Sequence, residues 1–187
     1  MGRIVVTEFV SVDGVMEGPG GDNDFARGAW SFEFERGEDG DRFKTGETMD
    51  AEGMLLGRRT YEGFAAAWPE RSGDPFSDRF NEMPKYVVSS TLQNPEWNNS
   101  TVISIDEVEE LKGRLDGDLI VHGSAQLVKE LVERDLVDEL RLMVFPVVLG
   151  TGIRLFGDTT DKKTLALKES QVVGGDGVLT LVYQRAG

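Results

Sequence analysis

The sequence predicts a single α/β domain over residues 1–187, built on a mainly parallel sheet with an antiparallel edge. Strand-like and helix-like segments alternate along most of the chain. Residues 85–90 and 118–122 are short apolar runs, which are typical of strands buried in a parallel sheet. Residues 174–177, with the sequence GGDG, separate the last two strand-like segments and predict a terminal hairpin.

The strand predictions rest on apolar runs and on alternation of apolar with polar residues. Residues 3–10 begin the chain with a mixed run of this kind and show no signal-peptide pattern. The predicted strands, in chain order, are residues 3–10, 52–56, 85–90, 100–104, 118–122, 139–147, 165–173 and 177–184.

Helices are predicted between the strands. Two have clear periodicity: residues 106–115, with a capping box of Asp106 and Glu109, and residues 124–134, with a stripe at Leu127, Val128, Leu131 and Val132. Weaker patterns predict helices at residues 58–67 and 76–83. Residues 41–50 predict a short helix with Phe43 and Met49 on its buried side.

Composition excludes several classes of function. The chain has 20 Lys and Arg against 34 Asp and Glu, a net charge of −14, which argues against nucleic acid and anionic membranes as partners. It has no cysteine and one histidine, His122, so thiolate chemistry, disulfides and a His-rich or Cys-rich metal site are excluded. We expect no metal and a cytoplasmic location.

Residues 17–40 break the regular pattern. They are rich in glycine and carry Trp30, Phe32 and Phe34 without helical or strand periodicity. Irregular segments of this length are usually functional loops or mobile insertions, and the sequence leaves both open. The aromatic side chains favour a loop that covers a ligand, with Trp30 as the expected stacking surface.

The strongest local motif lies around Gly57, where a short apolar strand runs directly into a predicted helix. Backbone N–H groups and the positive end of the helix dipole at such a junction suit a phosphate. Gly57 permits close approach, Thr60 offers a hydroxyl, and Arg58 and Arg59 supply adjacent cations. The alternative is an ordinary turn with solvated arginines.

Two further strand ends carry polar or glycine residues. Gly123, Ser124 and Ala125 open the helix that follows residues 118–122, where Ser124 also suits a simple N-cap. Ser89 and Ser90 end another strand, at the sheet edge where open α/β sheets bind ligands. His122 is more typical of a packed or hydrogen-bonding residue than of a general base.

The end of the first strand carries a carboxylate beside a glycine. Asp13 and Gly14 suit either a substrate-orienting site or a simple Asp-Gly turn. Residues 145–152 favour a structural bend.

Five segments in this order carry a family resemblance: SVDG (11–14), LLGRRTYEG (55–63), YVVSSTL (86–92), VHGSAQLV (121–128) and LRLMVFPVVLGTG (140–152). Together they resemble the dihydrofolate-reductase-like proteins. More narrowly, the chain is similar to stand-alone relatives of the reductase domain of the riboflavin-biosynthesis deaminase–reductase. The resemblance implies a three-layer α/β/α fold with a mixed sheet of about eight strands. It also implies NADPH as cofactor and a homodimer.

The resemblance assigns the cofactor half of the site. Gly57, Arg58 and Thr60 would bind phosphates, and Arg58 or Arg59 would face the 2′-phosphate. Ser89 or Ser90 would lie near the adenine ribose. The pyrophosphate would lie over Gly123, Ser124 and Ala125.

The substrate half is less defined. The resemblance puts Asp13 and Gly14 near nicotinamide and substrate, and we add Glu17 and Trp30 as candidate substrate contacts. Asp13 or a water molecule would give the proton. The related riboflavin reductases carry a basic residue soon after Asp-Gly, which this chain lacks. Folate reductases use a carboxylate on the first helix, and no residue of 17–40 can be matched to it.

The function implied is an NADPH-dependent reductase that transfers hydride to a small heterocycle. The substrate would resemble a pteridine or 5-amino-6-(5-phosphoribosylamino)uracil. The alternative is a nucleotide-binding homodimer of the same fold without turnover.

Overall fold

The computed structural model describes residues 1–21 and 24–186. The strands are β1 (Arg3–Ser11), β2 (Gly53–Gly57), β3 (Lys85–Val88), β4 (Ser100–Ile103), β5 (Asp118–Val121), β6 (Glu139–Phe145), β7 (Leu165–Val173) and β8 (Val178–Arg185). The α-helices are α1 (Gly37–Asp50), α2 (Arg58–Ala67), α3 (Pro75–Glu82), α4 (Val108–Arg114) and α5 (Ala125–Glu133). Short 3₁₀ turns lie at Trp30–Glu33 and Ile105–Glu107.

All strands join one sheet in the order β4-β3-β2-β5-β1-β6-β8-β7. The pairs from β4 to β6 are parallel, and β8 pairs antiparallel with both β6 and β7. This confirms the mainly parallel sheet and the antiparallel C-terminal hairpin. The chain crosses over β5 between β1 and β2, and over β1 between β5 and β6, so β1 and β5 mark the change of winding direction.

Helices cover both faces of the central strands, as the alternation along β1 shows. Ile4 and Val6 pack with α4 and α5 through residues such as Leu111 and Val128. Val5 points the other way and packs in the cluster that holds residues of α2 and α3. Because successive side chains of a strand point to opposite faces, one short apolar run supplies two cores.

A third apolar cluster lies under the hairpin side of the sheet. Phe145 of β6 is fully buried there, with Trp30 and Val173 against it. The cluster therefore ties the irregular segment after β1 to the antiparallel strands.

Three local predictions need correction. Helix α1 begins at Gly37, four residues before the predicted start, and Met49 is 42% exposed, because the buried positions of α1 are Gly40, Glu47 and Thr48. The capping box is formed by Ser104 and Glu107, because a 3₁₀ turn precedes α4. Strands β3 and β6 end two residues earlier than predicted.

The predicted segment 17–40 is not wholly irregular, since it includes the 3₁₀ turn and the first turn of α1. Residues 22 and 23 of this segment lie outside the described residues. Among the described residues, no helix is long and apolar enough to cross a membrane.

Candidate active site

The sheet opens where β5 ends beside β1. The pairing of β1 with β5 stops at Val6 and Val121, whereas β1 continues to Ser11 alongside β6. This leaves a crevice next to the second half of β1, at the carboxyl ends of β2 and β5. Ligands of open α/β sheets bind at such changes of winding direction.

Two glycine turns meet at this crevice. The backbone N–H of Gly57, at the end of β2, donates to the carbonyl of Gly123, after β5, at 3.1 Å. A Cβ atom on Gly57 would lie 3.0 Å from the backbone N of Ser124. The two turns are therefore in backbone contact, which a side chain at Gly57 would prevent.

The backbone conformation of Gly123 also requires glycine. Its φ is +98°, which disfavours any other residue, and its peptide bond to Ser124 is cis. A Cβ atom there would lie 3.0 Å from Thr60 Oγ1, 3.4 Å from Met16 Cε and 3.6 Å from Glu8 Oε1. We call the surface that Gly123 forms with these three crowding atoms the Gly123 notch.

The helices after the two turns begin differently. No side chain caps the N-terminus of α2 at Gly57, so its first-turn N–H groups are left for another acceptor. The N-terminus of α5 is capped by Ser124, whose side chain accepts from Leu127 N. Ala125 is the first residue of α5. The alternative interpretation of Ser124 as an N-cap is confirmed by this contact.

The remaining predicted cofactor residues lie on the same edge of the sheet. Arg58 and Arg59 are exposed at the start of α2, and Arg58 pairs with Glu62 at 3.3 Å. Ser89 follows β3, beside β2, and its hydroxyl accepts from the backbone N–H groups of Thr91 and Leu92. Ser90 is exposed. The structure thus brings all predicted cofactor residues to one sheet edge.

Sequence analysis missed a charged cluster between β1 and α1, formed by Thr7, Glu8, Lys44 and Glu47. Thr7 Oγ1 donates to Glu47 Oε1 at 2.7 Å, Lys44 Nζ donates to Thr7 Oγ1 at 2.6 Å, and Lys44 pairs with Glu47. Thr7, Glu8 and Glu47 are each less than 9% exposed. Glu8 Oε1 and Glu47 Oε2 have no hydrogen-bond partner among the described residues.

Burial shifts the pKa values of Glu8 and of the nearby His122. Burial raises the pKa of Glu8 to about 8, although the Lys44 charge lowers it, and the Glu47 charge raises it further. Burial lowers the pKa of His122 to about 3, with a further lowering by Lys44. At neutral pH Glu8 is therefore mostly protonated and His122 is neutral.

His122 is a packed residue, as predicted. Its ring lies 6.0 Å from that of Phe64 and 5.8 Å from that of Phe80, and its Nε2 is buried without a partner among the described residues. A neutral imidazole packed beside two aromatic rings is poorly suited to proton transfer at neutral pH.

Asp13 does not suit the catalytic role that the sequence suggested. Its carboxylate accepts from Ser11 Oγ at 2.7 Å, Leu149 N at 3.0 Å and Gly150 N at 2.8 Å. These hydrogen bonds lower the pKa of Asp13 to about 2. A carboxylate held ionised in this way cannot serve as a proton donor near neutral pH, and it ties β1 to the segment after β6.

The other predicted substrate contacts are also engaged internally. Glu17 accepts from the backbone N–H of Ile153 at 2.8 Å. Gly14 has φ +80° and its carbonyl accepts from Leu155 N, so it forms the turn that the alternative interpretation predicted.

The expectation that Trp30 offers an exposed stacking surface is wrong. Trp30 is 1% exposed, its ring lies edge-on to Phe145 at 5.4 Å, and its Nε1 donates to the carbonyl of Glu17 at 2.8 Å. Trp30 is buried because the segment after β1 folds back over the hairpin side of the sheet. Phe32, two residues on, is 75% exposed.

One sequence signal could have revealed the cluster. Strand β1 has the sequence RIVVTEFVS, in which Thr7 and Glu8 interrupt an apolar strand that lies in the middle of the sheet. Buried carboxyl groups are rare and usually paired or functional. Glu47 had no comparable signal, because its burial depends on how α1 packs on β1.

One groove lies apart from the crevice. A groove of about 240 Å³ is lined by residues of β6, β8 and the end of α5, including Leu140 and Tyr183, and contains none of the predicted site residues. Among the described residues, no group of three or more His, Asp or Glu side chains could hold a metal ion.

Comparison with known proteins identifies the family and the fold. Residues 3–179 match the model of the RibD C-terminal domain. The uncharacterized protein YyaP of Bacillus subtilis (strain 168) is 30% identical, over 99% of this chain and 96% of that protein.

Solved structures share the fold. A protein of Shewanella sp. PV-4 that is named "Putative riboflavin biosynthesis protein" superposes with a TM-score of 0.78 at 21% identity, covering 99% of both chains. Dihydrofolate reductase from Enterococcus faecalis, complexed with NADP(H), gives a TM-score of 0.61 at 16% identity, covering 99% of this chain and 97% of that one.

Proposed function

The chain belongs to the RibD C-terminal domain family, a reductase-type family, and from this premise we propose that it is an NADPH-dependent reductase. The substrate is a small heterocycle of the pteridine or aminopyrimidine kind. One observation carries the proposal: the glycine turns after β2 and β5 are in backbone contact at the point where the sheet opens. That arrangement suits an extended, phosphate-bearing cofactor.

The residues of the crevice fit such a cofactor. The uncapped N-terminus of α2 at Gly57 provides N–H donors for a phosphate, with the hydroxyl of Thr60 beside them. Gly123, Ser124 and Ala125 would support the pyrophosphate, and Ser89 or Ser90 the adenine ribose. When bound, NADPH supplies the hydride.

The chain's own residues bind and orient the reactants. Because Gly57 and Gly123 carry no side chain, their two turns pack on one another and bring backbone groups together at the crevice. The Thr60 hydroxyl and the buried Glu8 carboxyl place hydrogen-bonding groups beside the notch. Such groups can orient the polar edge of a heterocycle while excluding water.

Arg58 and Arg59 are proposed to select NADPH over NADH. Both lie exposed at the start of α2, next to the uncapped N-terminus. A charge-assisted hydrogen bond to a 2′-phosphate contributes about 1.5–3 kcal/mol. Arg58→Ala should therefore weaken NADPH binding by about 10- to 150-fold while changing NADH binding much less.

Titration of both cofactors by calorimetry against wild type, Arg58→Ala and Arg59→Ala checks this selection. Arg114→Ala, at the exposed end of α4, is the matched control and should bind both cofactors as wild type does. Equal losses for NADPH and NADH would show that the arginines serve the shared pyrophosphate or the fold.

Reduction is tested by NADPH oxidation with a panel of pteridines and aminopyrimidines. Turnover with one of them supports the reductase. Tight NADPH binding without turnover on any would favour the alternative, a nucleotide-binding protein of the same fold. The homodimer stays a prediction from the resemblance, and the cytoplasmic location stays a prediction from the sequence.

A further inference from the structure

Glu8 is an unusual residue for the middle of a sheet. It is 8% exposed, and its Oε1 has no hydrogen-bond partner among the described residues. An unsatisfied polar atom in a protein interior costs stability, so its presence calls for a physical explanation. No contact among the described residues provides one.

The position of Glu8 in the sheet points to the crevice. Glu8 follows the last β1 residue that pairs with β5 by two positions, so it lies where β5 has turned away. Its Oε1 lies 3.6 Å from the place where a Cβ of Gly123 would be, and Thr60 Oγ1 lies 3.0 Å from the same place. A ligand group packed against the Gly123 turn would lie near both groups.

The groups that face Glu8 leave it without a dedicated counter-ion among the described residues. Helix α1 supplies Lys44 and Glu47, but Lys44 is paired with Glu47 and donates to Thr7. At the end of β5 stands His122, which is neutral. Helix α2 contributes the uncharged Thr60. Glu8 therefore keeps its proton and lies beside the Gly123 notch as a neutral carboxylic acid.

We propose that Glu8 is the proton donor for this reduction, acting on a C=N bond of the heterocyclic substrate; the proposal rests on the proposed function. The carbon of that bond takes the hydride from the nicotinamide, and the π electrons become the pair that binds a proton to nitrogen. Glu8 Oε1 gives this proton and becomes a carboxylate. After product release it takes a proton back from water.

Other groups near the crevice suit the role less well. Asp13 accepts three hydrogen bonds and stays ionised. Glu47 is paired with Lys44 and accepts from Thr7, and His122 packs beside Phe64 and Phe80. Of these groups, Glu8 is the one that is protonated at neutral pH and lies beside the Gly123 notch.

The test compares Glu8→Gln with Glu110→Gln, an exposed carboxyl on α4. Glutamine keeps the shape of the protonated acid but cannot give up a proton. Carboxyl NMR of glutamate-labelled protein follows protonation without any substrate. We expect one wild-type carboxyl to titrate near pH 8, to vanish in Glu8→Gln and to persist in Glu110→Gln.

Kinetics and binding complete the test. Glu8→Gln should lower turnover by about 10²- to 10⁴-fold and leave the NADPH Kd within about threefold. The fall of wild-type turnover as pH rises through about 8 should be absent in the variant.

The outcomes separate the two proposals. A wild-type protein in which every glutamate titrates well below neutral pH, or a Glu8→Gln variant with turnover near wild type, overturns the role of Glu8 and leaves the reductase standing. Absence of wild-type turnover with every heterocycle overturns the proposed function, and the catalytic role of Glu8 with it.

Discussion

The turns that follow β2 and β5 differ from the segment that follows β1, although all three leave the same edge of the sheet. After β2 and β5 the chain enters a helix almost at once, and glycine brings backbone N–H groups to the crevice. After β1 the chain runs through residues 12–36 before α1 begins. Polar groups of its described residues are hydrogen-bonded to the segment 147–154 that follows β6.

The difference shows how connection length decides what a strand end can do. A direct strand-to-helix turn leaves its first N–H groups without intrahelical partners, so a ligand can take them. A long connection must satisfy its own backbone and side chains to stay ordered. Asp13, Glu17 and Trp30 form hydrogen bonds that keep the long connection ordered. The proposed proton donor, Glu8, lies within strand β1 instead.

The largest effect should come from Trp30, which anchors the long connection. Trp30→Ala removes a ring that is 1% exposed and its hydrogen bond to Glu17. We expect a loss of about 3–5 kcal/mol in the free energy of unfolding, as for other buried large aromatics. Urea denaturation followed by circular dichroism measures it.

Phe32→Ala is the matched control for that variant. Phe32 belongs to the same 3₁₀ turn but is 75% exposed, so its removal should change stability by less than about 0.5 kcal/mol. A Trp30→Ala protein as stable as wild type, with only a raised KM, would restore Trp30 as a substrate-stacking residue.

The next effect tests the contact between the two glycine turns. At Gly57 φ is −75°, which alanine adopts without strain, so Gly57→Ala adds only a methyl group against Ser124. Overpacking of this kind costs about 1–3 kcal/mol. If the added methyl group weakens NADPH binding by this free energy, NADPH affinity drops by about 5- to 150-fold, which calorimetric titration detects.

Gly63→Ala controls for the substitution itself. Gly63 lies inside α2, and a methyl group added there would meet nothing within 4 Å among the described residues. Alanine should therefore raise helix stability by up to about 1 kcal/mol. NADPH affinity should stay unchanged. Equal NADPH affinity in Gly57→Ala and wild type would show that the turn contact is structural only.

The sequence predicts the turns well because their signals are local. Gly57 and Gly123 stand directly between an apolar strand and a helix, and the fold followed from the family resemblance. The β1–α1 cluster was not predictable, since Glu47 meets Thr7 only when α1 packs on β1. The structural role of Asp13 was not predictable either, because its hydrogen-bond partners Leu149 and Gly150 are distant in sequence.

The smallest effect should be that of Asp13→Asn, which alters the hydrogen bonds from Leu149 and Gly150 that hold the long connection; we call them the Asp13 tie. The pKa of Asp13 is lowered to about 2 by its hydrogen bonds, so the tie is complete above the ordinary value of 3.8 and weakens as pH falls through about 2. Amide proton shifts of Leu149 and Gly150 should follow that titration in wild type. In Asp13→Asn the same shifts should be displaced at neutral pH and should not titrate.

Asp158→Asn, an exposed change outside these hydrogen bonds, should leave the Leu149 and Gly150 shifts and their titration as in wild type. Turnover in Asp13→Asn should fall modestly at most, because an ionised carboxylate that binds two backbone N–H groups gives no proton. A loss of turnover by about 10²-fold or more, with Leu149 and Gly150 undisturbed, would return Asp13 to the reaction. The long connection would then share the chemistry that we assign to Glu8 and the glycine turns.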